Sequence, residues 1–237
     1  MWSAGQDGGM NVARSEGVAV PAVPAAGERV TVATDVGEAR VTWVRAEVPR
    51  VVLALGHGAG GGIEARDLVA LAGVLPGAGV SVALVEQPWR VAGKKVAPAP
   101  KTLDKGWEAV WGEVAGEGLP VVAGGRSAGA RVACRTGAEL GAAGVLALSF
   151  PLHPPGKPER SRAGELLGTG VPTLVVQGGR DPFGRPEEFP GGSYELAEVA
   201  YGDHGFAVPK KAPVGQEEAL EVITDAVGAW IERLPVG

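Results

Sequence analysis

The chain has 237 residues, 45% of them hydrophobic and 21% charged, with a formal net charge of −5. That size and balance suit one folded domain with a sizeable core and exclude a disordered chain. The acidic balance gives no attraction to nucleic acid or to an acidic membrane surface.

A single cysteine, Cys134, allows no internal disulfide, and three histidines set far apart make no zinc pattern. No apolar run reaches the ~18 residues that span a bilayer. Residues 1–27 carry Asp7, Arg14 and Glu16, while Pro21 and Pro24 interrupt their apolar part. A secretory signal needs a basic start and an unbroken apolar run. Residues 1–27 are therefore expected to be a flexible tail, 28–237 a single domain, and the cytoplasm the default location.

In chain order, Arg29 to Thr34 and Ala39 to Arg45 come first, joined by Asp35-Val36-Gly37 as a turn. They predict an antiparallel hairpin. Short apolar runs then alternate with helical patterns. The runs are Val51 to Leu55, Val80 to Val85, Pro120 to Ala123, Val145 to Leu148, Val171 to Gln177 and Tyr194 to Tyr201. Near-continuous apolar character is what parallel strands show when helices cover both faces.

Between the runs, apolar residues recur at the 3.6-residue period of a helix. One stripe is Leu68, Leu71, Ala72 and Leu75; another is Leu103, Trp107, Val110, Trp111 and Val114. The last is Leu220, Ile223, Val227, Trp230, Ile231 and Leu234, with Glu217 and Glu218 in the first turn, where the helix dipole favours acids. A helix beginning just after Ser127 carries a stripe of small residues: Ala130, Ala133, Cys134, Gly137 and Ala138. Small side chains let a helix lie close on a sheet. The alternation predicts an α/β fold with one mostly parallel sheet, helices on both faces and right-handed crossovers.

Functional groups in such sheets gather beyond the carboxyl ends of the strands. After Pro120 to Ala123 comes Gly125-x-Ser127-x-Gly129. A serine on a sharp strand-to-helix turn has its hydroxyl lifted clear of the sheet, and flanking glycines leave room for the reversal. Taken alone, the string also fits a Gly-rich turn with a serine N-cap. After Val51 to Leu55 comes Gly56-His57-Gly58-Ala59-Gly60-Gly61-Gly62. Its small residues allow the backbone to approach a reacting carbonyl. Ala59, with Gly58 as the near alternative, and Ala128 after the serine are the expected oxyanion N–H donors. His57 is expected to orient this loop.

Val171 to Gln177 leads to Asp181-Pro182, where Asp181 is placed to hold a base in its useful tautomer, or else to close a turn on its own backbone. His204 follows the last strand and is the candidate base. Its neighbour Asp203 is poorly placed to reach the same ring. The order Ser127, Asp181, His204 is that of α/β-hydrolases.

With these motifs in register, the chain resembles the α/β-hydrolase superfamily over roughly Arg29 to Leu234. More narrowly it is similar to a small dienelactone-hydrolase-like group without a large cap domain, which includes a subunit of a histone-acetyltransferase-associated complex. The narrower resemblance rests on Gly56 to Gly61, on Gln87-Pro88-Trp89-Arg90 with Ala92-Gly93-Lys94, and on Phe150-Pro151-Leu152-His153-Pro154-Pro155-Gly156-Lys157-Pro158. It implies an open cleft, with no cap domain between Phe150 and Val171. A dienelactone hydrolase usually has cysteine as nucleophile, where this chain has Ser127.

The expectation is a serine esterase or thioesterase for small-molecule substrates, working through an acyl-enzyme without metal or organic cofactor. Gly58, Trp89, Arg90 and His153 are the candidate substrate-binding residues. Arg90, Lys94, Lys95, Lys157, Arg160 and Arg162 fall in two loops beside the cleft. An anionic substrate would match them; solvated loop charge is the plainer reading. Two other functions fit parts of the sequence. One is a catalytically silent scaffold on the same fold. The other is a nucleotide-binding oxidoreductase, because Gly60-x-Gly62-x-x-Ala65 with Glu86 imitates a dinucleotide fingerprint.

Overall fold

The computed structural model describes residues 27–235. The expected tail thus lies, except for Gly27, outside the described residues. The elements are β1 (Glu28–Thr34), β2 (Gly37–Val44), β3 (Val51–Gly56), α1 (Arg66–Val74), β4 (Val80–Glu86), α2 (Pro88–Val91) and α3 (Pro100–Ala115). They continue with β5 (Val121–Arg126), α4 (Ala128–Thr136), β6 (Gly144–Leu148), α5 (Ala163–Leu167), β7 (Thr173–Gly178), β8 (Glu195–Val199) and α6 (Gln216–Arg233). All eight strands form one sheet in the order β1-β2-β4-β3-β5-β6-β7-β8. β2 runs antiparallel to both its neighbours, and β3 to β8 are parallel.

The chain leaves β3 toward β4 on one side and later returns to place β5 on the other. Such a switch in winding opens a crevice at the carboxyl ends of the two strands. The loops after β3 and β5, which carry Gly58 and Ser127, therefore face each other.

The apolar runs sort themselves by face once they are in the sheet. Leu53, Leu55, Leu84, Leu146 and Leu148 lie under α1 and α6. Ala54, Ala83, Ala123 and Ala147 point the other way, under α3 and α4. Each Leu fully buried in this way contributes roughly 1.5–3 kcal/mol. The alanine face lets α4 sit low on the sheet. A methyl on Gly129 would lie 2.5 Å from the Gly56 carbonyl oxygen, so here only glycine permits the approach of α4 to β3.

Several boundaries differ from the sequence expectation, and β7 and β8 shift by one or two residues at each end. β5 continues through Gly125 and Arg126 up to the serine, because backbone pairing with β6 extends beyond the apolar residues. α4 ends at Thr136, so Ala138 is exposed, while Gly137 stays buried against Val145. Gly37 pairs with Thr34, which leaves Asp35-Val36 as the turn. α2 and α5 were not expected. Each is about one turn long, too short for a periodic stripe to show. Between β6 and β7 there is only a 3-10 turn at Pro158–Arg160 and α5, and no cap domain. Among the described residues no helix is long and apolar enough to cross a membrane.

Candidate active site

Ser127 stands between β5 and α4 with φ 53° and ψ −107°. A side chain in that region of backbone space costs of order 1–3 kcal/mol, and it persists only where the surroundings enforce it. Enforcement comes from the Ser127 N–H, which donates to the Leu148 carbonyl at 2.9 Å, and from α4 pressing on the end of β3. The hydroxyl makes no helix-capping bond. It is turned instead toward His204, whose Nε2 lies 2.9 Å away.

His204 Nδ1 is 2.7 Å from Asp181 Oδ2. An ionised carboxylate only accepts, so Nδ1 carries the ring proton and Nε2 is free to receive one. Asp181 is fully buried. Its Oδ2 also accepts from Gln177 Nε2 at 2.9 Å, and its Oδ1 from the Phe183 N–H at 2.8 Å. Both sequence readings of Asp181 are thus realised together. One oxygen closes the local turn; the other faces the histidine.

The histidine loop is held independently. Asp203 Oδ1 accepts from the N–H groups of Gly205 and Ala207, at 2.7 and 2.9 Å, so its carboxylate serves the loop's backbone. Gln216, at the start of α6, bonds Phe206 O and Val208 N at 2.8 and 3.1 Å. The Phe183 ring stacks on His204 with centroids 4.2 Å apart.

On the other side of the crevice, the buried His57 accepts from the Gln87 N–H through Nε2 at 3.2 Å, and its Nδ1 lies 2.9 Å from Gly58 O. Those partners require a neutral ring protonated at Nδ1, and burial pushes its pKa below the usual histidine value. His57 thereby ties the loop after β3 to the end of β4. With the Gly58 carbonyl fixed, the trans peptide aims the Ala59 N–H the opposite way. Gly58 lies against the serine: a methyl placed on it would be 3.4 Å from Ser127 Cβ. Ala59 is exposed, and Ala128 begins α4. Among the described residues the N–H groups of Gly58, Ala59 and Ala128 make no hydrogen bond.

The remaining substrate-binding candidates are placed differently from expectation. Trp89 is buried beneath His57, with ring centroids 5.5 Å apart. It lines, with Gly56, Trp107 and Ala128, a cavity of about 10 Å³, room for one water. Arg90 pairs with Glu64 at 3.1 Å on the surface. The His153 ring lies 3.0 Å from Pro154 O and 2.9 Å from Glu188 Oε2, so both its nitrogens are engaged inside the protein. Of the other loop cations, Arg162 bonds Pro151 O, whereas Lys94, Lys95, Lys157 and Arg160 stand in solvent.

Sequence reasoning missed Gln177, Phe183 and Arg126 at this site. Gln177 is the last residue but one of β7, and a polar residue closing an apolar run was the one available signal. Phe183 and Arg126 carried none. Among the described residues no group of three or more His, Cys, Asp or Glu side chains is gathered to hold a metal ion.

A sheet of this winding, with a strained serine after β5, an acid after β7 and a histidine after β8, defines an α/β-hydrolase. The family described as alpha/beta hydrolase domain matches residues 49–232, and the chain belongs to it. It is similar to a lidless α/β serine hydrolase from Xanthomonas campestris, with a TM-score of 0.69 and 18% identity over 92% of this chain and 99% of the other. A dienelactone hydrolase from Anabaena variabilis gives 0.67 and 18%, over 88% and 97% of the two chains. Est1E from Butyrivibrio proteoclasticus gives 0.64 and 14%, over 88% and 100%. A sequence search among curated proteins finds no match.

Proposed function

We propose that this protein is a serine hydrolase that cleaves small to medium carboxylic esters or thioesters through an acyl-enzyme. The observation that carries the reading is the continuous chain from Ser127 Oγ through His204 to the buried Asp181 carboxylate. A strained serine with no capping bond and a histidine in the accepting tautomer have no structural need of one another. Nucleophilic catalysis needs both.

In the proposed route His204 Nε2 takes the Ser127 proton as the hydroxyl attacks the substrate carbonyl. The N–H groups of Ala59 and Ala128 receive the developing oxyanion, with Gly58 giving the carbonyl room beside the serine. His204 then protonates the leaving group, and the same ring deprotonates the water that releases the acyl group. Asp181 stays charged and holds the ring. An open cleft without a cap offers little to activate an amine leaving group, which favours esters and thioesters. The start of α1, where a dinucleotide would set its pyrophosphate, holds the buried side chain of Asp67.

Est1E is known with ferulic acid bound, so feruloyl esters join short-chain p-nitrophenyl esters and acyl thioesters as first substrates. The test is labelling with a fluorophosphonate probe, read by intact mass in wild type and in Ser127→Ala. One adduct that disappears in the variant supports the proposal. An unlabelled, folded wild type with no turnover of these substrates refutes it.

A further inference from the structure

Arg126, the residue before the nucleophile, reaches the loop after β3 and the histidine loop. Its Nη2 donates to the carbonyl oxygen of His204 at 2.6 Å. Its Nε lies 3.3 Å from Oδ2 of Asp67, which is fully buried in the first turn of α1. A methyl added to Gly58 would stand 3.3 Å from Nη1, and one on Gly205 3.3 Å from Nη2. The guanidinium is therefore wedged between the loop after β3 and the histidine loop, with an anion behind it.

The backbone of His204 depends on this contact. Among the described residues no other donor reaches the His204 carbonyl, and the His204 N–H makes no hydrogen bond. The ring is held by Asp181, and the loop beyond it by Asp203 and Gln216. At the α-carbon, which sets where the ring can stand, Arg126 supplies the tether. A guanidinium suits the task because its planar fork sends one N–H edge toward a carboxylate and another toward a carbonyl. The contact with Asp67 is one of charge: buried Arg126 Nε approaches Oδ2 without a hydrogen bond, and Asp67 lies among the first amides of α1. Asp67 thus keeps the cation in place while leaving the Nη groups to the loops.

We infer that Arg126 is a positioning residue, which clamps the backbone of His204 to the nucleophile turn and is itself seated by Asp67. The role rests on the serine-hydrolase reading. A base displaced by about 1 Å from its serine loses on the order of a hundredfold in rate. Losing the tether is expected to act on the chemical step and to leave ground-state binding nearly unchanged.

The test compares Arg126→Gln, Arg126→Lys and the double variant Arg126→Gln/Asp67→Asn with wild type. The double variant removes both buried charges together, so it should fold where the single change strands Asp67. Three quantities are read on protein shown to be folded by its melting curve. They are the rate of fluorophosphonate labelling, kcat and KM on p-nitrophenyl acetate, and hydrogen exchange of the peptide spanning His204. In Arg126→Gln and the double variant, labelling and kcat should fall about ten- to a hundredfold, with KM within about twofold. Exchange around His204 should quicken. Arg126→Lys should recover part of the rate, since an ammonium reaches one partner at a time.

A folded double variant that labels, turns over and exchanges like wild type overturns the inference while leaving the hydrolase reading intact. A folded wild type that the probe does not label and that turns over none of the substrates refutes the hydrolase reading and takes the positioning role with it.

Discussion

Replacing Asp181 by asparagine keeps the size of the side chain and removes its charge. The structure says where the new amide must turn. With its NH2 in the place of Oδ2 it would face two donors, His204 Nδ1–H and Gln177 Nε2. In the place of Oδ1 it would face one, the Phe183 N–H. The second orientation is favoured, and it leaves a single buried donor–donor conflict worth about 1–3 kcal/mol of stability. The oxygen still accepts from His204, so the tautomer survives, but no negative charge would compensate the imidazolium that the proposed attack by Ser127 creates. Where the tautomer is also lost, an equivalent change costs about 10⁴ in kcat, or roughly 5.4 kcal/mol. A retained tautomer should soften this to about 10²–10³. The assay is the second-order rate of fluorophosphonate labelling beside kcat on p-nitrophenyl acetate, with a urea melt on the same protein. A folded Asp181→Asn variant within tenfold of wild type would refute the reasoning.

Gly129→Ala drives a methyl to 2.5 Å from the Gly56 oxygen and 3.0 Å from that of His57, backbone atoms that cannot turn aside. Thermal denaturation should show a loss of about 1–3 kcal/mol, with labelling of Ser127 reduced as the loop after β3 is pushed aside. Cys134 is buried and its thiol is pushed up to about 12, so iodoacetamide at pH 8 should leave the native protein unmodified and react only after unfolding.

Two histidines should bend the stability profile in opposite senses. His57, held neutral by burial with its pKa below the ordinary 6.5, contributes fully above that value and loses its contribution as pH falls through it. His57→Gln should flatten the acid side of a melting-temperature profile. The His153 pKa is raised by the Pro154 carbonyl and by Glu188. Its contribution is present below pH 6.5 and fades as pH rises through the raised value. His153→Gln should therefore flatten that loss, and an unchanged profile would show that the ring is not protonated in the folded protein.

Strands, main helices and the three groups now found together were legible in the sequence because each is announced by its neighbours in the chain. An apolar run of strand length, a glycine-flanked serine, and an acid or histidine just after a run are local patterns. Boundaries were less legible wherever pairing outran hydrophobicity, as at Gly125 and Arg126, or where an element was only one turn long, as in α2. Trp89 and His153 looked available for substrate because a loop position gives no hint of what lies beneath it. In the fold one packs under His57 and the other is occupied by Glu188.

The sequence by itself determined the alternation of strand and helix, the choice of small residues for α4, and the order serine, acid, histidine. These follow from the period of the chain and from residue type, which folding does not alter. Only the tertiary structure decided which face of the sheet receives the leucines and which the alanines. It alone joined Gln177 to Asp181, and Arg126 to His204 and Asp67. The Arg126 contacts link a strand end to loops far apart in the chain, and the Gln177 contact depends on how the turn after β7 folds back.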